Sequence, residues 1–332
     1  MLRLLHDTHI DFIKYWRHMA IITIAWILIG LSSFLVTGGV NYSIEFTGGT
    51  LMQLEFKQPP DVALIRSSLD AGGIRGAEIQ QYGSPREFTV RARDREAVAR
   101  QASGAETVGR EIQGVLTKAF GANAFTVVRT EAVGPRVGSE LRRGALIAVL
   151  ISFLITLIYL AIRFEWRFGA AAVLATAHDL LTTIAFIKLL HLEVSLTVVA
   201  AILTVIGYSM NDTIIIFDRV RENLKKQRKE SMYDVLNRSI NETLPRSVLT
   251  HATTLAATLA LLFFAGEVIR PFAWVMSFGI FTGTFSSIYV AAPILLWIER
   301  KWPRDTAARG TASRAVNEPR PRPKAAEPVA TR

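Results

Sequence analysis

The chain contains no cysteine. That excludes disulfides, thiolate metal sites and cysteine nucleophiles, and leaves the redox compartment open. Histidine is scarce, and the six residues present are scattered without ligand spacing, so they offer no metal site. No Walker-type glycine loop and no nucleophile constellation occurs, which leaves ATPase and hydrolase chemistry without support. The first apolar stretch follows Arg17-His18 and lacks a small-residue cleavage site before the polar segment after it. It therefore reads as a retained helix and not as a removed signal peptide. From Pro303 to Arg332 large apolar residues are almost missing while Pro, Ala and Arg abound. That composition predicts a disordered basic tail over residues 299–332.

Elsewhere the chain is rich in hydrocarbon. Half of its 332 residues are apolar, gathered into blocks long enough to cross a bilayer. Spans are expected at about 20–38, 144–163, 168–190, 194–217, 247–266 and 273–298, each near the ~20 residues a helix needs to cross the hydrocarbon. Lys and Arg mark the short cytoplasmic loops. Arg163 and Arg167 flank one loop, eight basic residues lie from Arg219 to Arg246, and nine lie from Arg300 onward. The intervening loops hold only Lys188 and Arg270. Both termini, including residues 1–19, and the loop 218–246 are therefore expected in the cytoplasm. Because residues 39–142 carry thirteen basic and twelve acidic side chains, the net charge of +10 belongs mainly to that face. Topology and anionic lipid account for it, and nucleic-acid binding is not implied.

Residues 39–142 are long enough for a small extracytoplasmic domain. Strands are expected at Tyr42–Phe46 and Leu51–Phe56 around Gly48-Gly49, at Ala77–Tyr82 and Phe88–Ala92, and at Phe125–Val133; helices are expected near 61–69 and 106–120. The order suggests a ferredoxin-like α+β sandwich. The fold class is thus a polytopic α-helical membrane protein, six transmembrane helices in 20–38 and 143–298 with one α+β ferredoxin-like extracytoplasmic domain. In the loop, Met232, Val235, Leu236 and Ile240 at helical spacing beside Lys225, Lys226, Arg228 and Lys229 fit either a helix lying on the lipid surface or a solvated connector.

Two acids sit in apolar surroundings. Asp212 lies 18 residues beyond Val194, about 27 Å along a helix. Asp179 follows His178 near the middle of the preceding span. Acids at such depth are costly and mark function by default. Gly207, Ser209, Asn211 and Thr213 surround Asp212 with small or hydrogen-bonding groups that admit a neighbouring helix or water. Arg246 opens span five at a depth from which its long side chain reaches toward Asp212, and Thr250, His251, Thr253 and Thr254 add polarity. Asp218 reads as an interfacial charge. In span six, Gly279 and Gly283 at four-residue spacing allow close helix packing.

With these residues assembled, the chain resembles the SecF side of the SecD/SecF family, within the resistance-nodulation-division superfamily, over residues 10–300 or so. The resemblance rests on Phe46-Thr47-Gly48-Gly49, on Val133-Gly134-Pro135-Arg136-Val137-Gly138-Ser139-Glu140-Leu141, and on His178-Asp179. It continues through Ile206 to Thr213, Phe217 to Asn223, Leu236 to Leu244 with Arg246, and Gly283-Thr284-Phe285-Ser286-Ser287. Ser43-Ile44-Glu45 departs from the Gly-Ile-Asp usual in the family. The resemblance implies a bacterial inner-membrane subunit that acts without enzymatic chemistry beside the SecYEG channel. It would work with SecD and often YajC, coupling proton flow to movement of exported, unfolded polypeptide. It carries Asp212 and Arg246 onto the family's proton pathway; Asp179, from its place in span three, is either a relay partner buried with Asp212 or a helix-bonding acid. Protons are the coupling ion, and no other cofactor or metal is implied. A proton-coupled small-molecule or lipid exporter is the alternative, and a scaffold with structural acids is a third reading.

Overall fold

The computed structural model describes residues 8–92, 107–226, 230–266 and 268–303. The expected tail falls almost wholly outside them, as do Arg228 and Lys229. A short 3-10 turn, Ile13–Tyr15, leads into α1, Trp16–Thr37. Gly38 then turns the chain at φ 76°, a conformation that glycine adopts without penalty. A one-turn helix α2, Ile44–Thr47, precedes β1, Gly49–Phe56. After these come α3 (Val62–Ala71), β2 (Glu78–Gln81), β3 (Glu87–Ala92), α4 (Thr107–Phe120) and β4 (Phe125–Val133). The remaining helices are α5 (Pro135–Arg163), α6 (Trp166–Leu189), α7 (Leu196–Lys226), α8 (Met232–Phe264), α9 (Arg270–Ser286) and α10 (Ala292–Lys301), the last two joined by a π turn at Ser287–Ala291.

The four strands form one antiparallel sheet in the order β2-β3-β1-β4. With α3 and α4 in the two crossovers this is the ferredoxin-like βαββαβ arrangement. Alternation makes the core: Met52, Leu54 and Phe56 on β1 and Phe88, Val90 and Ala92 on β3 point to one face, where Ile65 and Leu69 of α3 and Ile112 and Leu116 of α4 cover them. Asp61 starts α3 by accepting the Ala63 N–H at 2.8 Å.

The segment Tyr42–Phe46 is not the expected strand. The Ser43 carbonyl accepts the N–H groups of Phe46 and Thr47 at 3.1 Å, and the Thr47 hydroxyl adds a third bond to it, which winds the chain into α2. Gly48 and Gly49, at φ 73° and 131°, therefore join a helical turn to β1 instead of turning a hairpin. Tyr42 forms an isolated parallel bridge to Val194.

Among the described residues, six helical segments are long and apolar enough to cross a membrane. They overrun the expected spans because α7 and α8 continue well past the apolar windows. The stripe of Met232, Val235, Leu236 and Ile240 is accordingly not a separate helix on the lipid surface. Ser231 caps Asp234 N–H at 3.2 Å and starts a continuous 33-residue helix. Val235, Leu236 and Ile240 are buried in one cluster with Phe217 and Val220 of α7 and Leu295 of α10. The apolar windows of α1 and α5 are 6% and 11% buried, whereas those of α6 and of the α9–α10 span are 56% and 61% buried. The molecule thus has an inner group of helices and two peripheral ones.

Before α1, the chain is strapped to α8. The Ile10 and Ile13 N–H groups donate to the side-chain oxygens of Asn241 (3.0 Å) and Asn237 (3.1 Å). The Asp11 carboxylate accepts from Tyr233 Oη at 2.6 Å and Asn237 Nδ2 at 2.8 Å.

Candidate functional site

Close approach of α9 to α7 builds the site. A Cβ at Gly279 would stand 2.2 Å from Val205 Cγ2, so at this separation something must shift to admit it, and one at Gly283 would stand 3.0 Å from Ser209 Cβ, a tight contact. At the end of α9, Ser286 and Ser287 then reach two different carboxylates. Asp179 of α6, 1% exposed, accepts from Ser286 Oγ at 2.7 Å and from Ser209 Oγ of α7. Asp212 of α7, 2% exposed, accepts from Ser287 Oγ at 2.8 Å and from Ser247 Oγ of α8 at 2.5 Å. Four helices therefore contribute to two sets of hydroxyls, one around each acid, that meet at the adjacent Ser286 and Ser287. The π turn begins at Ser287, and such turns recur at functional positions in helices.

Histidines flank both acids. His178 Nδ1 lies 3.0 Å from Asp179 Oδ1. His251, one turn beyond Ser247, bonds the Ser247 carbonyl through Nδ1 at 2.5 Å and stands edge-on to Tyr208, with ring centroids 5.2 Å apart. A hydroxyl donates to a carboxylate and accepts from a carboxylic acid. Each set can thus serve either protonation state by turning its hydroxyls.

Arg246 joins neither set. Among the described residues Asp212 has no ion pair, and Arg246 is exposed, lining an open groove of about 620 Å³ with Asp218, Arg219, Glu222 and Glu242. The expected pairing is absent because neighbours on a helix point about 100° apart, so α8 aims Ser247 at the acid and Arg246 elsewhere. In that groove Arg219 bonds Glu242 and Glu222, each at 2.6 Å. Burial works to raise the Glu242 carboxyl, yet hydrogen bonds from Arg219 and Asn223 outweigh it and hold it below the usual carboxylate range. Asp218 is half-exposed and pairs with Arg163 at 3.1 Å.

Gly207 packs against no helix among the described residues of this chain. A Cβ there meets nothing within 4 Å, because the residue faces away from the bundle beside exposed Thr204 and Asn211. The motif residues before β1 do meet those in the first turns of α5. A Cβ at Gly138 would come 2.9 Å from Gly48 N and 3.2 Å from the Phe46 carbonyl carbon, so α2 lies directly on the start of α5. Phe46 is buried, Gly134 is extended just ahead of α5, and Pro135 occupies that helix's first turn. Sequence spacing alone does not mark Ser247, Ser286 and Ser287 as ligands of the acids. The available signal was hydroxyl residues next to Arg246 and at the end of the small-residue stripe.

Residues 113–301 match the family model described as "Protein export membrane protein SecD/SecF, C-terminal", and residues 33–60 match the SecD/SecF GG motif. A protein translocase subunit SecF from Gemmatimonas aurantiaca is 66% identical over 317 residues, covering 95% of both chains. The chain belongs to the SecF family. The SecF of Vibrio alginolyticus is 42% identical over 85% of this chain and 87% of its own. Among solved structures, SecDF from Thermus thermophilus matches with a TM-score of 0.77 and 37% identity over 90% of this chain. SecDF in a super-membrane-facing form matches with a TM-score of 0.64 and 38% identity over 93%. The chain spans 40% of the length of each of these SecDF chains. As a SecF-family member it is a multi-pass membrane protein and a non-enzymatic accessory subunit of Sec protein export. The small-molecule exporter reading is not favoured.

Proposed function

We propose that the chain uses the proton-motive force together with SecD, beside SecYEG and with YajC as a further associate, to promote movement of unfolded polypeptide across the bacterial inner membrane. The observation that carries this is the pair of buried carboxylates, Asp179 and Asp212, each bonded by one of two consecutive serines, Ser286 and Ser287. An ionised carboxylate buried without a counter-charge is costly. Binding a proton removes that cost, and the hydroxyls accommodate both states. In this reading Asp212 is the proton-carrying group, Arg246 biases it when α8 turns or water enters, and Asp179 is the second station. No further cofactor is invoked.

The polar outward face at Thr204, Gly207, Asn211 and Thr250, exposed in the isolated chain, suits packing against a partner's helices, for which SecD is the natural candidate. Asp212→Asn keeps the shape and removes the titration. It should abolish uncoupler-sensitive export while the subunit accumulates and co-purifies with SecD, and Arg246→Met should produce a similar loss. Full uncoupler-sensitive export by Asp212→Asn membranes would falsify the role given to this residue.

Both termini are cytoplasmic and the α+β domain lies outside in this reading, following the basic loops. Reporters fused after Gln80 and after Glu230 should respond on opposite sides of the membrane. The same response from both would reverse the topology.

A further inference from the structure

The α+β domain is covalently attached through α1 and α5, the two peripheral helices. The acids ride on α6 and α7. Around the α6–α7 connection, from Lys188 to Leu196, four separate contacts tie those inner helices to the domain and its entry turn. Glu45 of α2 accepts the N–H of Leu196, the first residue of α7, at 2.6 Å, and the Ser43 hydroxyl steadies the same oxygen at 3.3 Å. Ser43 N–H donates to the Val194 carbonyl at 2.9 Å, and Val194 N–H donates to the Asn41 carbonyl at 2.7 Å. Arg91 of β3, 7% exposed, reaches Glu193 at 2.5 Å. Lys188, in the last turn of α6 and 6% exposed, donates to the carbonyls of Gly38 and Gly39 at 2.6 and 2.7 Å.

These contacts differ in kind and share a destination. A carboxylate at the N-terminus of α7 satisfies a backbone donor the helix cannot serve itself and complements its dipole. The departure at Glu45 thus sits at a junction, because its side chain spans from the domain's entry turn to the helix that carries Asp212. The Asn41–Ser43 bridge fixes backbone to backbone, the Arg91 pair fixes the sheet, and Lys188 fixes the glycine turn at which the chain leaves α1.

We propose that this seam, with Glu45 as its positioning residue, ties the α+β domain to the helices bearing Asp179 and Asp212 and remains closed while the domain moves with them. Displacement of α6 or α7 at the acids is then delivered to the domain through residues 188–196, and the covalent linkers through α1 and α5 act as passive tethers. This rests on the proton-driven reading given above.

The absence of cysteine permits a clean test, since Tyr42→Cys with Val194→Cys creates the sole intrachain disulfide. Bridge partners lie about 4.8 Å apart, inside the Cα separations that a disulfide spans. Uncoupler-sensitive export of a secreted reporter is measured in cells whose only copy of the subunit is this chain. Glu45→Ala with Glu193→Gln should lower it about fivefold or more, the size of a typical coupling. The oxidised lock alone should leave it within about twofold of the parent, since couplings below that size are small. Oxidising the lock in the weakened background should restore export, and reductant should remove the rescue. Because a disulfide also stabilises a fold, accumulation and thermal unfolding of the weakened variant are measured beside export, and a variant that matches the parent in both owes its loss to the seam.

Loss of export on oxidation of the lock alone would mean the seam must open, and would overturn the proposal. So would full export by the weakened seam, or a loss that oxidation does not reverse. If the parent chain itself lacks uncoupler-sensitive export, the proton-driven reading fails and the seam with it; a responsive parent with unresponsive seam variants refutes the seam alone.

Discussion

Neighbouring residues of this chain repeatedly serve different masters. Ser286 and Ser287 bond different acids, and Arg246 and Ser247 face a groove and a carboxylate respectively. Asp11 is the counterpart outside the apolar spans. Its carboxyl is held below the ordinary value of 3.8, first by the Tyr233 hydroxyl and then, against burial, by Asn237 and the Lys14 N–H. A depressed folded value means that its contribution to docking the strap is fully present above pH 3.8 and is lost as pH falls through the lower folded value. The strap should therefore stay docked at neutral pH. Asp11→Ala should release it there, seen as several-fold faster hydrogen exchange at the Ile13 amide, and unchanged protection would remove Asp11 from that role.

The two buried acids were legible because charge stands out in an apolar run. Their serine ligands were not, since a small hydroxyl residue in such a helix also satisfies simple packing. Glu45 stood out as a departure, but its partner lies 151 positions away, beyond the reach of any local pattern.

Among the elements, the glycines of α9 separate two functions that spacing alone makes equivalent. Gly279→Ala should destabilise the protein by about 1–3 kcal/mol through overpacking against Val205. Val205→Ala in the same chain should recover most of that loss, whereas Gly207→Ala should be close to neutral in the isolated subunit. Thermal unfolding in detergent measures all of these, and equal losses at Gly279 and Gly207 would contradict the packing described. Helix existence was legible throughout from apolar content. Helix ends were not, because an apolar window marks hydrocarbon while α7 and α8 continue wherever protein covers their apolar stripe. The strand misread before Gly48-Gly49 has a related cause: Tyr42–Phe46 alternates like a strand, and the bonds that wind it into α2 come from the Ser43 carbonyl and the Thr47 side chain.

At the scale of the whole molecule, the ferredoxin-like sheet was readable from alternation and turn residues. Its seat on the helix bundle was not, since that depends on contacts such as Arg91 with Glu193 and Lys188 with Gly38, made across long sequence separations. The peripheral helix α1 shows what such contacts can impose. Although barely buried, it is fastened to α8 by the strap at one end and to Lys188 at the other. Between them the Trp26 indole donates to the Thr182 carbonyl at 3.3 Å, and Gly30 abuts Ala185 so closely that a Cβ would stand 2.2 Å away.

A free helix of 22 residues, about 33 Å long, would answer a thicker or thinner bilayer by changing its tilt. This one is a strut with fixed ends and must pass the strain to its neighbours. Reconstituted export should consequently peak at one acyl-chain length and fall on either side, and Asp11→Ala should broaden the peak by freeing one end. A flat dependence on chain length would show that α1 adjusts alone. With its ends held, the thickness of the surrounding lipid becomes a mechanical input to the same helices that carry the acids.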